Sequence, residues 1–111
     1  DRELNNFLKI NLNKYKNIES DNKIFIEVNS SYEKNILSKD GAGKVTNYQL
    51  LANVIFLIKP INKEIIITEK IIMDSKTDKF EEDRYERTMK QNFASSISNK
   101  LRSELTIIND L

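Results

Sequence analysis

A chain of 111 residues, 39% hydrophobic and 32% charged, is long enough for one hydrophobic core and too short for two. Its formal net charge of +1 lacks the basic excess of a dedicated nucleic-acid binder, so no nucleic-acid partner is expected. It has no cysteine and no histidine, which excludes disulfides, Ser–His or Cys–His nucleophiles and the usual zinc sites.

The apolar residues are grouped by period, which argues against disorder. In residues 2–15, Leu4, Phe7, Leu8, Leu12 and Tyr15 recur at helical spacing. Asn5, Asn6, Lys9, Asn13 and Lys14 fill the opposite face, and residues 17–22 read as a polar connection. From Lys23 the period becomes two, with Ile24, Ile26 and Val28 alternating with Phe25, Glu27 and Asn29. Ser30, Tyr32 and Ile36 extend the first face, the pattern weakening over residues 35–38.

Residues 39–44 (Lys39-Asp40-Gly41-Ala42-Gly43-Lys44) form a turn, because glycine permits the positive φ that a reversal needs. The strand from Val45 to Lys59 sets Tyr48, Leu50, Ala52, Val54, Phe56 and Ile58 on its core face. Pro60-Ile61-Asn62-Lys63 is the next reversal, and the Ile-rich residues 64–74 favour another strand. Ile65, Ile66 and Ile67 run together, so the pattern does not choose that strand's inner face. Apolar Ile55 and Leu57 suggest that the second sheet face is partly covered as well.

The last segment is a long helix. Asp78 and Glu81 stand at capping-box spacing, and Glu81, Glu82 and Asp83 suit the positive end of the helix dipole. Tyr85, Met89, Phe93, Ile97, Leu101 and Leu105 form its apolar stripe, with Ala94 and Ser96 filling the drift of a four-residue spacing. Lys100 and Arg102 lie toward the negative end. Helix, three closely connected strands and helix predict an antiparallel meander covered by two helices, a two-layer α+β sandwich forming a single domain over 1–111.

Little of this can do chemistry. The carboxylates Glu81, Glu82, Asp83 and Glu86 read as a solvated helix start, so no acid–base pair stands out and an enzyme is not expected. Gly41-Ala42-Gly43-Lys44 lacks the spacing and the following helix of a phosphate loop. No cofactor is expected. A meander does bring the turn at 39–44 and the loop at 76–79 to one end of the sheet. Lys39, Lys44, Lys76 and Lys79, with Arg84, are therefore candidates to bind a phosphate or another anion.

The run Val45-Thr46-Asn47-Tyr48-Gln49-Leu50 begins a long strand, and Thr68-Glu69-Lys70-Ile71-Ile72-Met73-Asp74 leads through a polar loop to the last helix. That helix contains Ala94-Ser95-Ser96-Ile97-Ser98-Asn99-Lys100-Leu101. The order and pattern resemble the lipopolysaccharide-assembly lipoprotein family, LptE, over nearly all of the chain. The resemblance implies two helices on a four-stranded sheet, in a lipoprotein anchored to the inner leaflet of the outer membrane of a Gram-negative cell. It implies the LptD β-barrel as partner, with the lipoprotein plugging the barrel lumen, and lipopolysaccharide as ligand. Lys39 or Lys44 and Lys76 or Lys79 are the nearest matches to the family's lipopolysaccharide-binding basic residues. The acylated cysteine and the fourth strand are expected upstream of Asp1, which itself reads as lying inside a helix. Without that strand a sheet edge is open, so the alternative expectation is an adaptor that binds a protein partner, or itself, through the edge.

Overall fold

The computed structural model describes residues 1–13, 25–59 and 61–109. Tyr15 of the first stripe, the connection at 17–22, Lys23 and Ile24 of the first strand and Pro60 of the second reversal lie outside the described residues. The elements follow the expected order: α1 (Arg2–Asn13), β1 (Phe25–Lys39), β2 (Val45–Lys59), β3 (Lys63–Asp74) and α2 (Lys79–Asn109). The three strands form one antiparallel sheet in the order β1-β2-β3. Strands of 15, 15 and 12 residues and a helix of 31 make the molecule a rod with extents of 59 × 21 × 20 Å.

The core follows the β2 alternation. Leu50, Ala52, Val54, Phe56 and Ile58 are at most 1% exposed. Register settles the inner face of β3, which the isoleucine run left open. Ile65 pairs with Phe56, Ile67 with Val54 and Met73 with Tyr48, so all three share the core face and are buried. Ile66 and Ile72 fall on the other face and are each 60% exposed. That second face was expected to be partly covered; among the described residues no helix covers it, since both helices pack on the core side. Each fully buried large apolar side chain contributes roughly 1.5–3 kcal/mol, which is why the alternation decides the face.

β1 departs from its pattern near its end. The register shifts between Ile36, Ser38 and Lys39, so Leu37 has no facing partner on β2. This bulge turns the strand away, and Ile36 is 55% exposed instead of extending the core. The inner face is occupied there by Lys34, which lies 4.4 Å over the Tyr48 ring.

Both helices are capped by aspartate. The Asp1 carboxylate accepts from the Leu4 amide at 2.9 Å, and Leu4 and Leu8 are fully buried. In α2 the Asp78 carboxylate accepts from the Phe80 amide at 2.9 Å, one residue short of the Glu81 amide that a capping box would use. Met89, Phe93, Ala94, Ile97 and Leu101 are buried as expected, but Tyr85 is 39% exposed. The residue that fills the stripe beside Ala94 is Ser98, and Ser96 instead donates to Glu69 of β3 at 2.7 Å. At 3.6 residues per turn the buried line drifts from 93 and 97 to 94, 98 and 101, which carries Ser98 inward.

Candidate anion-binding site

The meander delivers the predicted residues to one end of the sheet. Lys39 pairs with Val45, Asn47 pairs with Asp74, and the Ser75 amide donates to Thr46 O at 2.9 Å. The turn and the loop are therefore neighbours. The turn is held from within: the Asp40 carboxylate accepts from the Ala42 and Lys44 amides, each at 2.9 Å, and the Gly43 amide donates to Asp40 O at 3.0 Å. Gly43 has φ +84°, a conformation that side-chain-bearing residues rarely adopt. Behind it, the Ser38 and Thr46 hydroxyls meet at 2.6 Å, and the Asn47 amide donates to Asp74 at 2.7 Å.

Lys39, Lys44 and Lys79 are exposed on this frame. Lys76 is half-buried, with its ammonium 5.4 Å from the centre of the Tyr85 ring. Arg84 lies exposed on the first turns of α2. Three aspartates of the same end are committed locally, while Glu81 and Asp83 stand exposed near Arg84. Asp40 braces the turn, Asp74 binds Asn47 and Asp78 caps α2. Among the described residues none of the four lysines forms an ion pair, which leaves them available to an anion. Sequence reasoning missed the apolar side of this end. Phe80 is 83% exposed in the first turn of α2, and Ile36 and Leu37 at the bulge are 55% and 49% exposed. Ammonium groups beside open apolar side chains suit an anionic amphiphile better than a simple anion.

A second polar cluster joins β1 to α2. The Tyr32 hydroxyl donates to Glu86 Oε2 at 2.6 Å, and Lys34 Nζ lies 2.9 Å from Glu86 Oε1 and 3.7 Å from Glu82. Lys90 sits 4.2 Å over the Tyr32 ring and 3.5 Å from both Asp1 and Glu3. Burial alone pushes the Glu86 carboxyl up, but the bonds from Tyr32 and Lys34 and the charges of Lys34 and Lys90 outweigh it and hold it below its ordinary range. Burial pulls the Lys34 ammonium down, and Glu86 and Glu82 more than restore it, leaving it raised. Burial, with Glu86 beside it, pushes the Tyr32 phenol up, so it stays a donor. Glu81 and Asp83 are solvated as expected, whereas Glu82 and Glu86 are half-buried and paired. The available signal was the spacing: 82, 86 and 90 share a helix face, as 32 and 34 share a strand face. Among the described residues no group of His, Cys, Asp or Glu side chains could hold a metal ion.

No protein-family model and no curated protein matches the chain. Solved structures do. Rare lipoprotein B from Shewanella oneidensis superposes with a TM-score of 0.68 at 18% identity, covering 96% of this chain and 90% of that one. A minor lipoprotein from Acinetobacter baumannii superposes with a TM-score of 0.59, also at 18% identity, covering 93% and 85%. The two-helix, three-stranded architecture described above is therefore a fold shared, over nearly its whole length, with two bacterial lipoproteins.

Proposed function

We propose that this chain is the folded domain of a non-catalytic outer-membrane lipoprotein of the LptE kind, which binds the LptD barrel and lipopolysaccharide at the periplasmic face. The observation that carries this reading is the fold shared with two lipoproteins, in a chain whose strand starts and last helix resemble that family. The lysine-rich end supports the ligand. Lys39, Lys44, Lys76 and Lys79 meet phosphorylated head groups, while Phe80 and Leu37 offer apolar contact to the lipid. The domain acts by occupancy and contact: it fills the barrel and orients the amphiphile.

The partner is tested by copurifying the full-length, acylated protein with LptD, where a stable complex is expected and persistent failure to associate overturns the reading. The ligand end is tested by replacing the four lysines with glutamine. Loss of four exposed charge contacts should weaken lipopolysaccharide binding by roughly tenfold or more, and equal affinity removes the basic end from the mechanism. A second reading, an adaptor that binds protein through a sheet edge, is favoured by the exposure of Ile66 and Ile72 beside the β3 edge.

A further inference from the structure

β3 is an edge strand whose first half carries little of the usual protection, the inward Glu69 and the exposed Lys70 coming only after it. Among the described residues it pairs only with β2, in an unbroken register from Lys63 to Asp74. It contains no proline and no bulge, and Ile65-Ile66-Ile67-Thr68 carries no charge. The other edge is managed differently. β1 is broken by its bulge, and its Ser30 carbonyl already accepts from the Asp1 nitrogen. Along the open edge of β3 runs the C-terminal half of α2. Residues 63–68 and Lys100, Ser103 and Glu104 line a trough between strand and helix. An open strand edge beside a helix is the geometry in which an extended peptide adds to a sheet, its backbone supplying the hydrogen bonds and its alternate side chains the selectivity.

We propose that this edge takes up an extended segment of a partner polypeptide as an added antiparallel strand. The outer row of β3 specifies the segment's chemistry. It reads Glu64, Ile66, Thr68, Lys70 and Ile72, with both isoleucines 60% exposed. A complementary antiparallel strand reads apolar, acidic, polar, apolar and basic at alternate positions, opposite 72, 70, 68, 66 and 64 in turn. The same row disfavours a second copy of this chain. Antiparallel self-pairing that sets Ile66 against Ile72 also sets Glu64 against Asp74 and Glu69 against its own copy. Sliding the copies until Glu64 meets Lys70 moves Ile66 onto Thr68 and Ile72 onto the turn residue Asn62. Centring the copies on Ile72 sets Ile72 against itself and Lys70 against Asp74, but that register pairs only residues 70–74 of the strand and leaves Ile66 uncovered, whereas a different strand can match the whole row. The trough lies at the opposite end of the sheet from the lysine-rich end, which the row approaches only at Ile72.

The probe is an end-blocked synthetic peptide in which isoleucine, glutamate, threonine, isoleucine and lysine alternate with intervening threonines. Titrated into the protein and followed by residue-resolved amide hydrogen exchange, it should slow exchange along β3 and leave β1 unchanged. Ile66→Lys and Lys70→Glu alter exposed side chains and should keep the wild-type unfolding midpoint while weakening binding about tenfold or more. A peptide with lysine in place of its glutamate should recover affinity for Lys70→Glu. Three results overturn the proposal: wild-type β3 amides indifferent to the peptide, Ile66→Lys binding as tightly as wild type, or β3 protection that grows with protein concentration alone, which would make the occupant a second copy.

Discussion

Ser98 buries its hydroxyl at 1% exposure without a hydrogen-bond partner among the described residues. It sits on the inner line of α2 beside Ala94 and Leu101, where a methyl group would fill nearly the same space. A buried hydroxyl that has left water and gained no partner is a cost, and alanine is also the better helix former. Ser98→Ala is therefore expected to raise the stability to urea by about 1 kcal/mol. A loss of stability would show that the hydroxyl is bonded after all. The sequence could not mark this residue. Ser96 and Ser98 are alike beside the apolar stripe, and only the drift of a long helix sends one to Glu69 and the other into the core. That the four lysines share one end of the sheet was legible for a different reason: a meander fixes which loops share an end, whatever the side chains do. The turning of Lys76 onto Tyr85 was not legible, because it depends on where the stripe of α2 leaves the sheet.

The turn between β1 and β2 sets the geometry of the lysine-rich end, and its two glycines have unequal roles. An added Cβ meets nothing within 4 Å at either position. The difference lies in the backbone, since Gly43 alone has a left-handed φ, +84°. Gly43→Ala should lower stability by about 1–2 kcal/mol, and Gly41→Ala should leave it unchanged or slightly higher because it stiffens the unfolded chain. Equal effects in urea denaturation would refute this division. Asn62 takes the same left-handed region at the second reversal, φ 53°, a conformation that asparagine tolerates better than most residues. Elements of this kind were read correctly because turn chemistry and strand alternation are local. β2 announced its inner face through six apolar residues at every second position from Tyr48 to Ile58, with Asn47, Gln49 and Asn53 on the other face, whereas β3 did not, since three consecutive isoleucines satisfy either face. Pairing with a strand whose face was already decided resolved it. The bulge at Leu37 was equally silent, because register is a relation between two strands.

Helix layer and sheet are joined differently along the rod. From Met89 to Leu101 the bond is mainly apolar, with Phe93, Ile97 and Leu101 over the sheet and Ser96 and Lys100 holding Glu69 of β3 at its rim. Toward the lysine-rich end it is electrostatic. There the first turns of α2 reach β1 through Glu82 and Glu86, and α1 is tied in by Lys90 between Asp1 and Glu3. The apolar part is indifferent to pH, and the seam is not. Glu86 titrates lower in the folded chain than in the unfolded one, so the unfolded state binds the proton first as pH falls. Its contribution is complete above the ordinary glutamate range and disappears as pH drops through the lowered value. Lys34 is shifted upward, so its contribution is complete below the ordinary lysine range and disappears as pH rises through the raised value. The seam should therefore hold across neutral pH and open at both extremes. Glu86→Gln keeps an acceptor for Tyr32 and Lys34 but removes the charge. It is expected to cost about 1–2 kcal/mol at neutral pH, with the gap to wild type closing in acid, where the wild-type carboxyl is itself protonated. Urea unfolding of both proteins across the acid range reads this directly. Curves that stay parallel would mean that the charge of Glu86 does not hold the layers together. Converging curves would place the electrostatic joint next to the lysine-rich end, so that acid loosens the frame carrying Lys39 and Lys79 before it disturbs the apolar core.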